Sequence, residues 1–224
     1  MKSNIENIRM RIARAAERSG RNPGEIKLIA VTKYVPEEKI KEAIEAGITG
    51  IGENRVREAE RKYLNLKVPV EWHMIGHLQT NKVKKAAGIF GWIQSIDSSH
   101  LAEELNSSLL STGKKIKVLV EVNVSGEESK YGVKPGDAEN LVKEILNLPQ
   151  LEMKGLMTMA PLSENPEDTR PYFRKLRMLL SGLQDSTGRK IEYLSMGMTG
   201  DFEAAVEEGA NIVRIGRGIF GTSA

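Results

Sequence analysis

Lys33 ends the apolar run Ile26-Lys27-Leu28-Ile29-Ala30-Val31-Thr32, just before Pro36 opens a helix, so a primary amine terminates what reads as a buried strand. At the mouth of an apolar barrel such an amine is partly desolvated, and with a neighbouring cation this favours the neutral nucleophile that condenses with aldehydes. The plainer reading is a lysine snorkelling its head into solvent. Near the other end of the chain, Ser195-Met196-Gly197-Met198-Thr199-Gly200-Asp201 offers hydroxyls and unhindered backbone N–H groups ahead of a helix. That setting attracts a phosphate dianion, although Ser and Thr capping an ordinary turn would look the same. Arg214-Ile215-Gly216-Arg217-Gly218 is a second glycine-broken strand end, where Gly216 and Gly218 permit close backbone approach or only a turn. Both loops belong to adjacent strands, and that coincidence favours phosphate. A condensing lysine beside a phosphate cradle points to pyridoxal 5'-phosphate (PLP).

Arg214 lies inside its strand, where burial without an acceptor is costly. Its structural role would be an ion pair with a carboxylate such as Glu53. Its functional role would be to donate to the pyridine nitrogen of PLP, whose partner tunes the ring; a fixed cation there disfavours protonation of that nitrogen. The histidines do not read as a metal site, because His73 and His77 straddle a strand-to-loop break at Gly76. His77 instead precedes a helix with Thr80 or Asn81 as cap.

These residues need a scaffold, and 224 residues suffice for one barrel-sized domain spanning 1–224. Apolar Ile5, Ile8, Ile12 and Ala15 recur at helical spacing until Gly20. Short apolar runs then alternate with amphipathic stretches, the pattern of βα units. Strands are predicted over 27–32, 50–53, 71–75, 92–96, 117–123, 153–157, 193–195 and 212–215. Helices are predicted between them over 37–46, 55–65, 81–87, 99–112, 135–147, 168–184 and 202–208. The fold class is therefore α/β, a single (β/α)8 TIM-like barrel with an additional N-terminal helix. No room is apparent for a helix after the eighth strand, so the opening helix is expected to fill that gap. A doubly wound sheet is less favoured, because no glycine loop follows its first strand. In such a barrel the chemistry gathers at the C-terminal strand ends, which places Lys33, Glu53, Asn54, His73, His77, Ser95, Asp97, Asn123, Ser125, Met157 to Met159, Ser195, Arg214 and Gly216 near one mouth.

Composition narrows the partners. With 33 basic and 30 acidic residues the net charge is only +3, and aromatics are 5%, so neither a nucleic-acid surface nor stacking platforms are expected. The absence of cysteine removes disulfides, thiolate metal sites and cysteine nucleophiles. The N-terminus lacks the apolar core of a signal peptide, and no apolar stretch approaches the ~20 residues of a membrane span, so a cytoplasmic protein is expected.

Read together, Val31-Thr32-Lys33, Gly52-Glu53-Asn54-Arg55, Trp72-His73-Met74-Ile75-Gly76-His77-Leu78-Gln79-Thr80-Asn81-Lys82, Ser195-Met196-Gly197-Met198-Thr199-Gly200-Asp201 and Arg214-Ile215-Gly216 resemble the pyridoxal phosphate homeostasis protein family. The resemblance spans almost the whole chain. That family is similar to the barrel domain of alanine racemase. The resemblance implies Lys33 as the Schiff-base lysine, Ser195 and Thr199 with the Gly216 and Arg217 backbone at the phosphate, and Arg214 at the pyridine nitrogen. Asn54 and His77 would lie near the cofactor. Thr199 stands where the family often has Ser, which keeps the hydroxyl.

The racemase's second domain carries the base for the opposite substrate face, and this chain ends at Ala224. Racemisation needs proton transfer on both faces, so no robust catalytic activity is expected. The favoured expectation is a monomeric PLP-binding protein that buffers the cofactor and delivers it to apo PLP-dependent enzymes. The alternatives are a low-activity amino-acid racemase, with Tyr34, His77 or a partner chain as second base, and a Schiff-base aldolase on a sugar phosphate. Lys82 and Lys84 are candidate secondary sites for PLP.

Overall fold

Eight short runs pair edge to edge until the sheet has no free edge. They are β1 (Lys27–Val31), β2 (Gly50–Glu53), β3 (Glu71–Met74), β4 (Trp92–Ile96), β5 (Ile116–Glu121), β6 (Leu151–Met157), β7 (Tyr193–Ser195) and β8 (Ile212–Ile215). Neighbours in sequence are neighbours in the sheet, every pairing is parallel, and β8 closes on β1 with Ile29 opposite Arg214. The computed structural model describes residues 1–221.

The connecting helices are α2 (Glu37–Glu45), α3 (Val56–Leu66), α4 (Val83–Ile89), α5 (Ser99–Leu110), α6 (Ala138–Leu146), α7 (Arg170–Thr187) and α8 (Phe202–Glu207), with α1 (Lys2–Arg18) before β1 and a single turn, α9 (Arg217–Phe220), after β8. Each presents an apolar stripe to the outside of the sheet, and that interface is the main core. A second, smaller cluster of Ile29, Trp92, Leu119, Met157 and Ile212 fills the barrel interior. Strand residues alternate between these two environments. Stepping two residues from the interior cluster toward the strand ends therefore puts Gln94, Glu121 and Arg214 inside, and four residues from Ile29 brings Lys33.

The expected gap after β8 is partly filled by α9, and α1 covers what remains. Ile5, Ile8 and Ile12 of α1 are buried, each worth roughly 1.5–3 kcal/mol. Asn4 Nδ2 donates to the Ile219 carbonyl at 3.1 Å, and Arg11 and Arg18 pair with Glu203 and Glu207 of α8. β5 ends two residues earlier than predicted because residue 133 takes over the backbone groups on one side of it: Val133 N donates to the Glu121 carbonyl and Asn123 N to the Val133 carbonyl, while Val122 N still donates to the Met157 carbonyl of β6. A one-turn 3-10 segment (Thr80–Lys82) precedes α4, with neither Thr80 nor Asn81 capping it by side chain. No helix among the described residues is long and apolar enough to cross a membrane.

Candidate functional site

Lys33 lies in a turn that leaves β1, closed by Val35 N donating to the Thr32 carbonyl at 3.0 Å. It borders two cavities at the C-terminal mouth of the barrel. The first, about 290 Å³, runs from Lys33 and Val31 past Arg214 to Met198, Thr199, Gly200, Gly216 and Arg217. The second, about 600 Å³, is reached from the other side of Lys33 and is lined by Asn54, Arg55, His77, Lys82 and Tyr131. Lys84 is not among its lining residues.

The Ser195–Asp201 loop owes its shape to Gly197, whose φ is +92° and whose Cβ, if present, would lie 2.6 Å from Ala205 Cβ. Asp201 folds back to accept from Met198 N at 2.6 Å. Burial raises the Asp201 carboxyl, while that N–H and Arg214 oppose the rise. Thr199 Oγ1 accepts from Gly218 N at 3.3 Å, tying this loop to the start of α9. With Gly218 N so engaged and Ile219 N donating to the Gly216 carbonyl, Arg217 N is the N–H of this turn left to meet an anion. Gly218 serves packing more than ligand approach: a Cβ there would meet Ile215, Ile8 of α1 and Thr199.

Beneath the mouth, a chain of hydrogen bonds crosses the barrel interior. Arg214 Nη1 donates to Ser195 Oγ at 2.5 Å, Ser195 Oγ donates to Gln94 Oε1 at 2.6 Å, and Gln94 Nε2 lies 2.9 Å from His73 Nδ1. Arginine is donor-only, so it dictates every direction: Ser195 must pass its proton to Gln94, Gln94 donates to His73 Nδ1, and the neutral imidazole carries hydrogen on Nε2. Burial lowers the His73 pKa, in keeping with a neutral ring. Arg214 Nη2 donates to the Thr158 carbonyl at 2.8 Å. Two of its five N–H groups are thus used within the protein, and the guanidinium lines the first cavity with donors to spare. Burial lowers its pKa to about 10, with Glu121 and Asp201 opposing, so it stays charged at neutral pH.

Ser195 is fully buried at inward parity on β7, and it accepts from Arg214 while its proton goes to Gln94, so the hydroxyl holds Arg214 in place. One sequence-based expectation is corrected here. Arg214 does not pair with Glu53, whose Oε1 accepts from Lys62 Nζ at 2.7 Å and from Thr32 Oγ1 at 2.6 Å. Several residues expected at the mouth have other work. His73 is inside the barrel, stacked on Trp92. Ser95 Oγ donates to the Gly76 carbonyl. Asn123 organises its own loop through Glu127, Lys130, Ser125 and Gly126. His77 does face the second cavity, stacked on Tyr131 at 4.1 Å with Nδ1 3.1 Å from Asp97. Asn54 Oδ1 is buried with no partner.

Gln94, Glu121 and Lys62 were not singled out from sequence. Gln94 and Glu121 are polar residues at inward parity in apolar strands, and Lys62 falls on the stripe Val56-Ala59-Lys62-Leu66, so a search for charges on buried faces would have found them. Glu121 is 3% exposed. Burial pushes its carboxyl up to about 7, Arg214 opposing and Asp97 adding to the rise.

The donor set of the first cavity suits a phosphorylated aldehyde with a ring acceptor: an amine, a hydroxyl with backbone N–H groups, and a fixed guanidinium. Among the described residues there is no group of three or more His, Asp or Glu placed to hold a metal ion.

Comparison with known proteins agrees with this geometry. The family described as the N-terminal domain of alanine racemase matches residues 3–224. The pyridoxal phosphate homeostasis protein of Aquifex aeolicus is 47% identical over 218 residues, covering 97% of this chain and 96% of its own. Its namesake in Escherichia coli is 38% identical, with 97% and 94% covered. The structure of PipY from Synechococcus elongatus with PLP bound superposes with a TM-score of 0.83 at 35% identity, covering 94% of this chain and all of that one. An alanine racemase of Clostridium difficile shares the barrel fold, with a TM-score of 0.74 at 18% identity over 97% of this chain and 56% of its own.

Proposed function

The chain belongs to the pyridoxal phosphate homeostasis protein family, and on that ground we propose that it binds PLP on Lys33 and serves intracellular PLP homeostasis by holding and releasing the cofactor. The observation that carries the reading is one cavity shared by Lys33, Thr199, Gly216, Arg217 and Arg214. When bound, PLP supplies an aldehyde and an electron-accepting ring. Lys33 is the amine that condenses with that aldehyde. Thr199 and the Gly216 and Arg217 backbone receive the phosphate, and Arg214 donates toward the pyridine nitrogen. A guanidinium that keeps its proton leaves that nitrogen unprotonated, which suits storage better than carbanion chemistry. Asn54 and His77 face the cofactor from the second cavity. Exposed Tyr34, Tyr131, Leu162 and Met198 rim the two cavities, an apolar rim suited to contact with apo PLP-dependent enzymes. The proposal places the protein in the cytoplasm as a monomer.

The test is an absorption spectrum with and without PLP, followed by borohydride reduction and peptide mass mapping. A visible band and a phosphopyridoxyl mass on Lys33 are expected, and Lys33→Ala is expected to abolish the main band. A band of full intensity in that variant would move the site to another lysine, Lys82 first. No band and no adduct in the unmodified protein would overturn the cofactor assignment. No α-hydrogen exchange of alanine or serine in deuterated water, beyond that with free PLP, is expected of a carrier.

A further inference from the structure

Lys62 is one of the largest fully buried side chains in the protein, and a lysine is seldom buried so completely unless its charge is met. Here all three ammonium donors are used: Nζ donates to the Thr32 carbonyl at 2.6 Å, to Glu53 Oε1 at 2.7 Å and to Glu58 Oε1 at 2.7 Å. These acceptors converge on the turn that carries Lys33. The Thr32 carbonyl also closes that turn by accepting from Val35 N. Thr32 Oγ1 donates to Glu53, and Tyr34 N donates to Glu58 Oε1 at 2.7 Å. Tyr34, the residue after Lys33, has φ of +61°. That left-handed conformation costs a side-chain-bearing residue about 1–2 kcal/mol and is the usual place of glycine in a turn of this shape.

We propose that Lys62, Glu53 and Glu58 form a positioning clamp that holds the Lys33 turn in its strained conformation, with the amine directed into the barrel mouth. The inference rests on Lys33 being the reactive amine. Anchoring Thr32 on one side and Tyr34 N on the other leaves Lys33 between two fixed points. Without the Glu58 acceptor, Tyr34 is free to relax to negative φ, which rotates the adjoining peptide and swings the Lys33 side chain away. A plain structural ion pair fastening α3 to the barrel would stabilise the protein without depending on what residue 34 is.

The discriminating experiment is a double-mutant comparison of Glu58→Ala and Tyr34→Gly, alone and together, with folding checked by circular dichroism. Two rates are read at Lys33: condensation with PLP, by stopped-flow absorbance, and labelling of the cofactor-free protein by trinitrobenzenesulfonate, by peptide mass. Glu58→Ala is expected to slow both by about tenfold, and glycine at position 34, which adopts left-handed φ freely, is expected to cancel most of that loss. Glu58→Gln keeps an acceptor oxygen for Tyr34 N and is expected to recover most of the rate. Should Glu58→Ala not fold, Glu58→Met, which keeps the length of the side chain but removes the acceptor oxygen, makes the same comparison with either tyrosine or glycine at position 34. Equal losses with tyrosine and with glycine there, or no loss in a folded variant lacking the acceptor, would overturn the clamp. A wild-type protein that never condenses with PLP would overturn the cofactor assignment instead, and the labelling series would still judge the clamp.

Discussion

Replacing Glu121 by Gln tests the electrostatics of the barrel interior directly. Glu121 ends β5 at inward parity, 3% exposed, with Arg214 and Asp97 as the charged neighbours that act on it. Burial holds its carboxyl at about 7, against 4.5 when exposed. A carboxyl whose folded pKa is raised keeps its proton more tightly in the folded state. Its stabilising contribution is therefore complete below 4.5 and lost as pH rises through about 7. At about 1.4 kcal/mol for each pH unit between those values, the loss amounts to about 3 kcal/mol by pH ~8. Glutamine does not titrate, so Glu121→Gln escapes this loss, and every other titrating group is common to both proteins and cancels. Urea unfolding of both at about pH 4 and about pH 8 is the assay. The variant is expected to gain about 3 kcal/mol on wild type across that interval. Stability profiles that remain parallel within ~0.5 kcal/mol would refute the reasoning, and would mean that water or a closer cation already solvates the ionised carboxylate.

Three further substitutions test the phosphate side of the site. Gly197→Ala combines positive φ with a 2.6 Å approach to Ala205 and is expected to cost at least ~2 kcal/mol in thermal unfolding, whereas Gly200→Ala, with open space around its Cβ, is expected to stay within ~0.5 kcal/mol. Thr199→Val keeps the shape but removes the hydroxyl, so affinity for PLP is expected to fall about tenfold in a spectroscopic titration. Affinity for pyridoxal, which has no phosphate, should not change; an equal loss for both would remove Thr199 from the phosphate set.

The barrel is legible because period-2 and period-3.6 hydrophobic patterns alternate along the chain, and short connections leave consecutive parallel strands one simple way to close. Strands 50–53, 92–96, 193–195 and 212–215 can be read to the residue, since glycine or a charge bounds each run. The C-terminal end of β5 and the start of β6 cannot: past Glu121 the alternation Val122-Asn123-Val124 still reads as a strand, and only the pairing of Val133 with residues 121 and 123 ends it, while Leu151 and Glu152 join β6 through their pairing with Ile116 and Lys117. Lys33, Thr199, Arg214 and Gly216 can be grouped from sequence, since a barrel gathers C-terminal strand ends at one mouth.

What the sequence determined by itself was the kind of protein: a βα-repeating chain with an amine and two glycine-broken loops at strand ends, and with no cysteine to support thiol chemistry. Tertiary structure alone decided the partners. Glu53 pairs with Lys62, nine residues away, because α3 packs back on β2, and Ser195 serves Arg214 and Gln94 because closing the barrel juxtaposes inward side chains from β4, β7 and β8. Those strands lie up to 120 positions apart in sequence, Gln94 to Arg214. A buried polar atom must take the donor or acceptor that closure brings within about 3 Å, and local sequence carries no record of which residue that is.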